Sequence, residues 1–212
     1  MISVTILICI FTGFISYQGF SDRSLFERLK HYPYSEKRNK DFFRMLSSGF
    51  LHGDMAHLLL NMYVLYIFGT SVEGEFVNNY GSTMGRAIYL VMYLSAIIFA
   101  DIPSYIKHKD NPSFASIGAS GAVSAILFTY ILFNPWNILL LFFIIPCPAI
   151  LAGIGYLVYS SHAAKNSRDR IDHLAHLSGA VYGIFASLVI FSNQIPYFIE
   201  QLTRLPNFSS IF

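Results

Sequence analysis

The sequence predicts an all-α polytopic membrane protein, a bundle of six transmembrane helices. Three observations lead there. Charged residues make up 12% of the 212, against about 25% in an ordinary soluble domain. The charges are also clustered: no Asp, Glu, Lys or Arg occurs in residues 1–21, 111–164 or 174–199, and ~20 apolar residues suffice to cross a hydrocarbon core. Finally, these runs are continuously apolar rather than alternating over roughly ten residues. In lipid that pattern selects helices, which satisfy their own backbone polar groups, over a closed barrel.

The first span covers about 2–20. It lacks a basic leader region and an Ala-x-Ala site, so it is expected to be a retained span rather than a signal peptide. Residues 21–54 form a long first loop in which charge alternates with aromatics around Pro33, a mixture suited to the membrane surface. The second span is about 55–72 and the third 87–106, ending at Asp101 and Pro103. The uncharged block that follows is too long for one helix. It breaks at Asn134-Pro135-Trp136-Asn137, because proline disfavours helix at the preceding residue and Trp136 suits an interface. The fourth span is then 116–133 and the fifth 138–160, kinked by Pro146 and Pro148. A short polar loop leads to the sixth, 173–192, and 193–212 is a tail, either an interfacial helix or a mobile segment. The whole chain, 1–212, is read as one membrane domain with both termini on one side.

Several function classes fall away. A net charge of +2 argues for no nucleic-acid partner. Cys9 and Cys147 lie in apolar spans and read as packed thiols, without a disulfide framework or a cysteine zinc motif. No H-E-x-x-H occurs, and His31, His108 and His162 fall in loops without ligand spacing. No metal and no cofactor is therefore expected. Aspartyl chemistry needs paired intramembrane carboxylates, whereas Asp54, Glu73 and Asp101 lie near span ends. A transporter would want ionisable groups at the bilayer midplane, where this chain has almost none.

Polar groups inside spans are costly and default to a functional hypothesis. Ser120 heads the fourth span in "GASGA", His176 stands near the head of the sixth in "DHLAHLSGAVYG", and His57 and Asn61 begin the second in "HGDMAHLLLNM". The last two are four apart and share a helix face. Spans two, four and six start on the same side, so all four groups lie in one layer. Ala175, Gly179 and Gly183 form a small-residue stripe on the sixth span that can pack against Gly121 and Ala125 of the fourth. A serine hydroxyl becomes nucleophilic when a histidine takes its proton, and acyl transfer also needs donors for an oxyanion. His57, Asn61 and the Ser120 amide at a helix N-terminus could serve there. Gly118 and Gly121 would let a substrate backbone approach without meeting a Cβ. The motif is not the G-x-S-x-G elbow of soluble hydrolases, because position 122 is alanine. His52 and His173 flank the site and read chiefly as interface residues.

With "HGDMAHLLLNM", "GASGA" and "AHLSGAVYG" in that order, the chain resembles the rhomboid intramembrane serine proteases over nearly all of its length after the first span. The resemblance implies a six-helix rhomboid-like bundle with a serine–histidine dyad, Ser120 as nucleophile and His176 as general base. It implies an oxyanion hole from His57, Asn61 and the Ser120 amide, and transmembrane protein segments as substrates within the lipid bilayer. Arg44, preceded by Phe43, matches the arginine of a Trp-Arg motif in the first loop. Glu73 matches a structural carboxylate. The family often carries an aromatic one turn after the nucleophile, against which the histidine packs; here that position is Ser124, so something else must hold the ring. The family setting implies an integral multi-pass protein, of the cell inner membrane, with the site opening to the extracytoplasmic side. Charge points the other way. Twelve basic residues lie in loops one, three and five, Arg168 and Arg170 among them, against Arg86 and Arg204 opposite, and basic loops favour the cytoplasm. The alternative to a protease is a non-proteolytic rhomboid-like protein that binds transmembrane segments for quality control or trafficking.

Overall fold

A computed structural model describes residues 2–141, 144–166, 169 and 171–204. Helix α1 (Val4–Ser21) is followed by three short helices, α2 (Arg23–Leu29), α3 (Pro33–Asn39) and α4 (Phe43–Ser47). The long helices are α5 (Met55–Tyr80), α6 (Ser82–His108), α7 (Ser120–Phe133), α8 (Ala149–Asn166) and α9 (His173–Ile190), with α10 (Ile195–Thr203) at the end. Strands β1 (Ile138–Leu141) and β2 (Ile145–Pro148) form a hairpin between α7 and α8. Among the described residues four helices, α1, α5, α6 and α9, are long and apolar enough to cross a membrane, and α7 is apolar but shorter. The protein is an all-α multi-pass membrane bundle.

Apolarity and helicity part company at the ends of the expected spans. Helix α5 does not stop at residue 72 but runs to Tyr80, so Glu73 sits inside it. Carboxylates mark where lipid gives way to polar surroundings, not where a helix ends; that is set by Gly81, whose φ of 79° turns the chain directly into α6 as glycine alone does without strain. Likewise α6 continues through Asp101 and Pro103 to His108. The fourth span begins four residues late. Ser116 is held in an extended bridge with His31, Gly118 takes a φ of 122°, and α7 starts at Ser120.

The largest departure is the fifth span. Residues 138–141 and 145–148 pair as antiparallel strands, Leu140 opposite Pro146, instead of belonging to a kinked helix. Pro146 and Pro148 lack amide hydrogens and push their predecessors out of helical dihedrals, so helix starts only at Ala149 and ends at Asn166. His162 consequently lies on a helix rather than in a loop.

Helix α7 occupies the centre, buried along ten of its fourteen residues. Aromatic rings at its far end lock it to the last two helices: Phe133 meets Phe191 at 4.9 Å and Phe198 at 4.8 Å, edge to face. The tail is thus helical through Thr203, with Phe198 buried; its remainder, 205–212, lies outside the described residues, as do Arg168 and Arg170. Fourteen residues rise about 21 Å, short of the ~30 Å hydrocarbon core. The head of α7 therefore lies below the level of the longer helices.

The first loop folds inward instead of only lying on the surface. His31 and Glu36 are fully buried, Nδ1 to Oε1 at 2.7 Å, and Glu36 also accepts the Tyr32 amide at 2.8 Å. Burial opposes charge on His31, but the Glu36 hydrogen bond, aided by Asp101 and Asp172, outweighs it and holds its pKa above the ordinary 6.5. Arg44 closes the loop, reaching Asp41 at 2.5 Å and the Glu27 carbonyl at 2.8 Å. Glu73 does the same for the bundle. It accepts the amides of Val4 and Thr5 at 3.0 and 2.9 Å and pairs with Arg86 at 2.9 Å, capping α1 from α5.

Candidate active site

Ser120 is the first residue of α7, and no side chain caps that helix. The amides of its first turn therefore have no intrahelical acceptor and carry the positive end of the helix dipole. On α9, Asp172 caps the N-terminus by accepting the Ala175 amide at 3.0 Å, and Ser104 of α6 donates to the same carboxylate oxygen at 2.8 Å. That brace sets the first turn, which carries His176. The two functional groups meet: His176 Nε2 lies 2.7 Å from Ser120 Oγ, a normal hydrogen bond. Both keep partial exposure.

The small-residue stripe makes this approach possible. A Cβ on Gly179 would lie 2.0 Å from the Gly121 carbonyl oxygen, and one on Gly183 2.3 Å from that of Ala125. Backbone packs directly on backbone, with Ser120 and His176 at the upper end of the contact.

His57 and Asn61 line the same cavity as the pair. The amide of His57 donates to Asp54 at 2.8 Å, an N-cap for α5, and its ring packs on Gly118, where an added Cβ would lie 2.9 Å from Cε1. Asn61 Nδ2 donates to the His57 carbonyl at 2.9 Å, which uses one of its two amide hydrogens. The cavity, about 1050 Å³, is lined by Arg23 and Glu27 of α2 and the adjoining Lys30, by the Ser120–His176 pair, and by the apolar side chains of Leu60, Val64 and Leu127.

Two contributions go beyond the sequence reading, which places His52 beside the site chiefly as an interface residue and does not single out Tyr156. His52 is fully buried and bridges three segments. Its Nε2 accepts the Ala119 amide at 3.4 Å, and Nδ1 lies 2.9 Å from Ser16 Oγ, which donates to the Phe50 carbonyl at 2.9 Å. This network requires a neutral ring. Burial, with a smaller effect from His57, pushes its pKa down to about 3, Asp54 opposing. His52 thus pins the residue preceding Ser120. Tyr156 of α8 is the second: its ring lies nearly parallel to that of His176, centroids 6.3 Å apart and planes at 21°. It supplies the aromatic neighbour that Ser124 cannot. The hint was a hydroxylated aromatic inside a span, but its partner lies on another helix. His173 is buried against Asp169 at 3.1 Å and meets His176 edge to face.

Residues 39–193 match the family model described as Rhomboid domain. The chain is 32% identical over 151 residues to RHOMBOID-like protein 12, mitochondrial, of Arabidopsis thaliana, covering 67% of this chain and 44% of that protein. It is 32% identical over 148 residues to presenilin-associated rhomboid-like protein, mitochondrial, of Rattus norvegicus, covering 66% and 36%. Rhomboid-related protein 1 of Caenorhabditis elegans is 25% identical over 81% of this chain and 46% of its own length. The chain spans less than half the length of each. Two of the three bear mitochondrial names, so the expectation of a cell inner membrane draws no support from them. The family model covers most of the chain, from the first loop to the end of the sixth expected span, and on that match the chain belongs to the rhomboid family.

Proposed function

We propose that this protein is an intramembrane serine endopeptidase that cuts transmembrane segments of other membrane proteins. The observation that carries this is the 2.7 Å hydrogen bond between Ser120 Oγ and His176 Nε2, at the uncapped head of a helix and on the wall of a cavity lined by both charged and apolar side chains. In this reading His176 takes the Ser120 proton as Oγ bonds to the scissile carbonyl carbon. The negative charge on the carbonyl oxygen is met by the Ser120 amide, the His57 ring and the Asn61 side chain. His176 then protonates the departing amine, the C–N bond breaks, and an acyl-enzyme remains. A water then loses a proton to His176 and attacks the ester carbon; the bond from that carbon to Ser120 Oγ breaks, the carboxyl product leaves, and Oγ takes the proton back from His176. The residues present suffice for each step.

Substrate class follows from depth. A short α7 seated low in a bundle of longer helices supports a head below the lipid surface, and in this reading the peptide bond that reaches it belongs to a membrane-embedded segment. That segment must unwind locally, because helical carbonyls are hydrogen-bonded and screened by side chains. The reading holds for a mitochondrial or a cell membrane alike, since it depends only on which helix ends share a face. The test is cleavage of single-span reporters in liposomes and covalent labelling by a serine-reactive fluorophosphonate. Ser120→Ala and His176→Ala, each folded, should abolish both. Near-wild-type cleavage by either variant overturns the dyad, and a folded wild-type protein that binds reporters without cutting or labelling favours the non-proteolytic alternative.

A further inference from the structure

Tyr156 is tied to the Ser120–His176 pair twice. Its ring covers His176 at 6.3 Å with planes at 21°. Its hydroxyl lies 2.5 Å from Ser124 Oγ, and Ser124 Oγ in turn donates to the Ser120 carbonyl at 2.8 Å. A serine hydroxyl has one proton. With that proton on the Ser120 carbonyl, Tyr156 must be the donor to Ser124, and the chain of bonds runs from α8 to the backbone of the proposed nucleophile. One side chain thus touches the imidazole directly and the serine through a single intermediary.

We propose that Tyr156 is a positioning residue, which holds the His176 ring and the Ser120 turn in register from a neighbouring helix. The proposal rests on the dyad reading above. Space-filling does not account for the arrangement, because a phenylalanine would fill the same volume while the hydroxyl bond is made to the residue that touches Ser120. The seating of α8 fits this role. Gly153 lies three residues before Tyr156 on the same face, where an added Cβ would be 2.9 Å from Ile131, and the Tyr156 ring also meets Phe128 at 5.8 Å. At Gly153 the backbone of α8 comes close to the Ile131 side chain of α7, on the face that also carries Tyr156.

The test compares Tyr156→Phe, Tyr156→Leu and Tyr156→Ala combined with Ser124→Phe, in the full chain in liposomes. Misplacing a catalytic group by an ångström can cost about 10²-fold, so Tyr156→Leu should lower kcat on that order with little change in KM. Tyr156→Phe should lose less, because the ring remains. The double variant, which returns a ring to α7 itself, should recover most of the lost kcat. A loss that falls on KM, or no recovery in the double variant, overturns the proposal.

A second readout does not need cleavage. With histidine carbon-13 labelled at Cε1, and the His176 signal identified through His176→Gln, wild type should give one narrow resonance that broadens or splits in Tyr156→Leu. An unchanged signal overturns the proposal. If wild type cleaves nothing yet the resonance responds to Tyr156→Leu, the contact stands and the protease reading falls. Should Tyr156→Leu not fold, Tyr156→Phe and Ser124→Ala carry the test, and wild-type kcat in both overturns it.

Discussion

Gly179→Ala is the sharpest probe of how the site is assembled. The substitution adds one methyl group, yet its Cβ would stand 2.0 Å from the Gly121 carbonyl oxygen, 2.7 Å from that carbon and 3.0 Å from Cα. Relaxed heavy-atom contacts lie at about 3.5 Å, so α7 and α9 must part by something on the order of 1 Å. All three atoms are backbone, and no side chain can rotate to relieve them. Gly121 adjoins Ser120, and Gly179 follows His176 by one turn on the same face. The 2.7 Å hydrogen bond then opens past the length at which it counts as one. Overpacking should cost about 1–3 kcal/mol of stability, and the misplaced pair should lose about 10²-fold in turnover. The assays are thermal unfolding in detergent and reporter cleavage in liposomes. The control is Gly155→Ala on α8, where an added Cβ meets nothing within 4 Å; it should be neutral or stabilising by up to about 1 kcal/mol. Wild-type turnover in Gly179→Ala would refute the claim that direct backbone packing sets the dyad distance.

Three further outcomes are expected. Glu73→Ala strips the cap from α1 and leaves Arg86 without its 2.9 Å carboxylate; breaking such a buried ionic contact costs about 3–5 kcal/mol, and an unchanged unfolding temperature would remove Glu73 from the structural frame. His52 has a folded pKa near 3 against 6.5 ordinarily. The depressed value means that the unfolded chain takes up the proton first, so stability is full above about pH 6.5 and falls as pH drops towards 3, by about 1.4 kcal/mol per pH unit. Unfolding followed between pH 6 and pH 4 should be steeper in wild type than in His52→Gln; equal slopes would contradict the buried neutral ring. Asn61→Ala should lower kcat by about 10²-fold, the usual loss of one oxyanion donor, while wild-type kcat would take it out of the site.

The legible part of the site was its layer. His57, Asn61, Ser120 and His176 each stand near the start of an even-numbered span, and parity alone puts those starts on one face. The facing stripes of Gly179 and Gly183 with Gly121 and Ala125 were legible too, because small residues at intervals of four have few other uses. Tyr156 was not. Its stacking partner is twenty residues away on another helix, and which face of α8 turns towards α9 is decided by packing between helices, which no pattern within 149–166 encodes. The His31–Glu36 pair was hidden for a similar reason. Charged residues in a loop read as solvated until the chain folds back over them.

Hydropathy and the spacing of charge by themselves determined that this protein is a multi-pass helical bundle, because transfer of a ~20-residue segment into lipid is a local property that each segment carries alone. Tertiary structure decided where helices begin and end within those segments: the paired strands 138–141 and 145–148, the late start of α7 at Ser120, the continuation of α5 to Tyr80. It also decided that an alcohol and an imidazole stand 2.7 Å apart beneath a tyrosine from a third helix. Such distances come from the close packing of whole helices, in which one methyl group at Gly179 outweighs any local preference of the residues concerned.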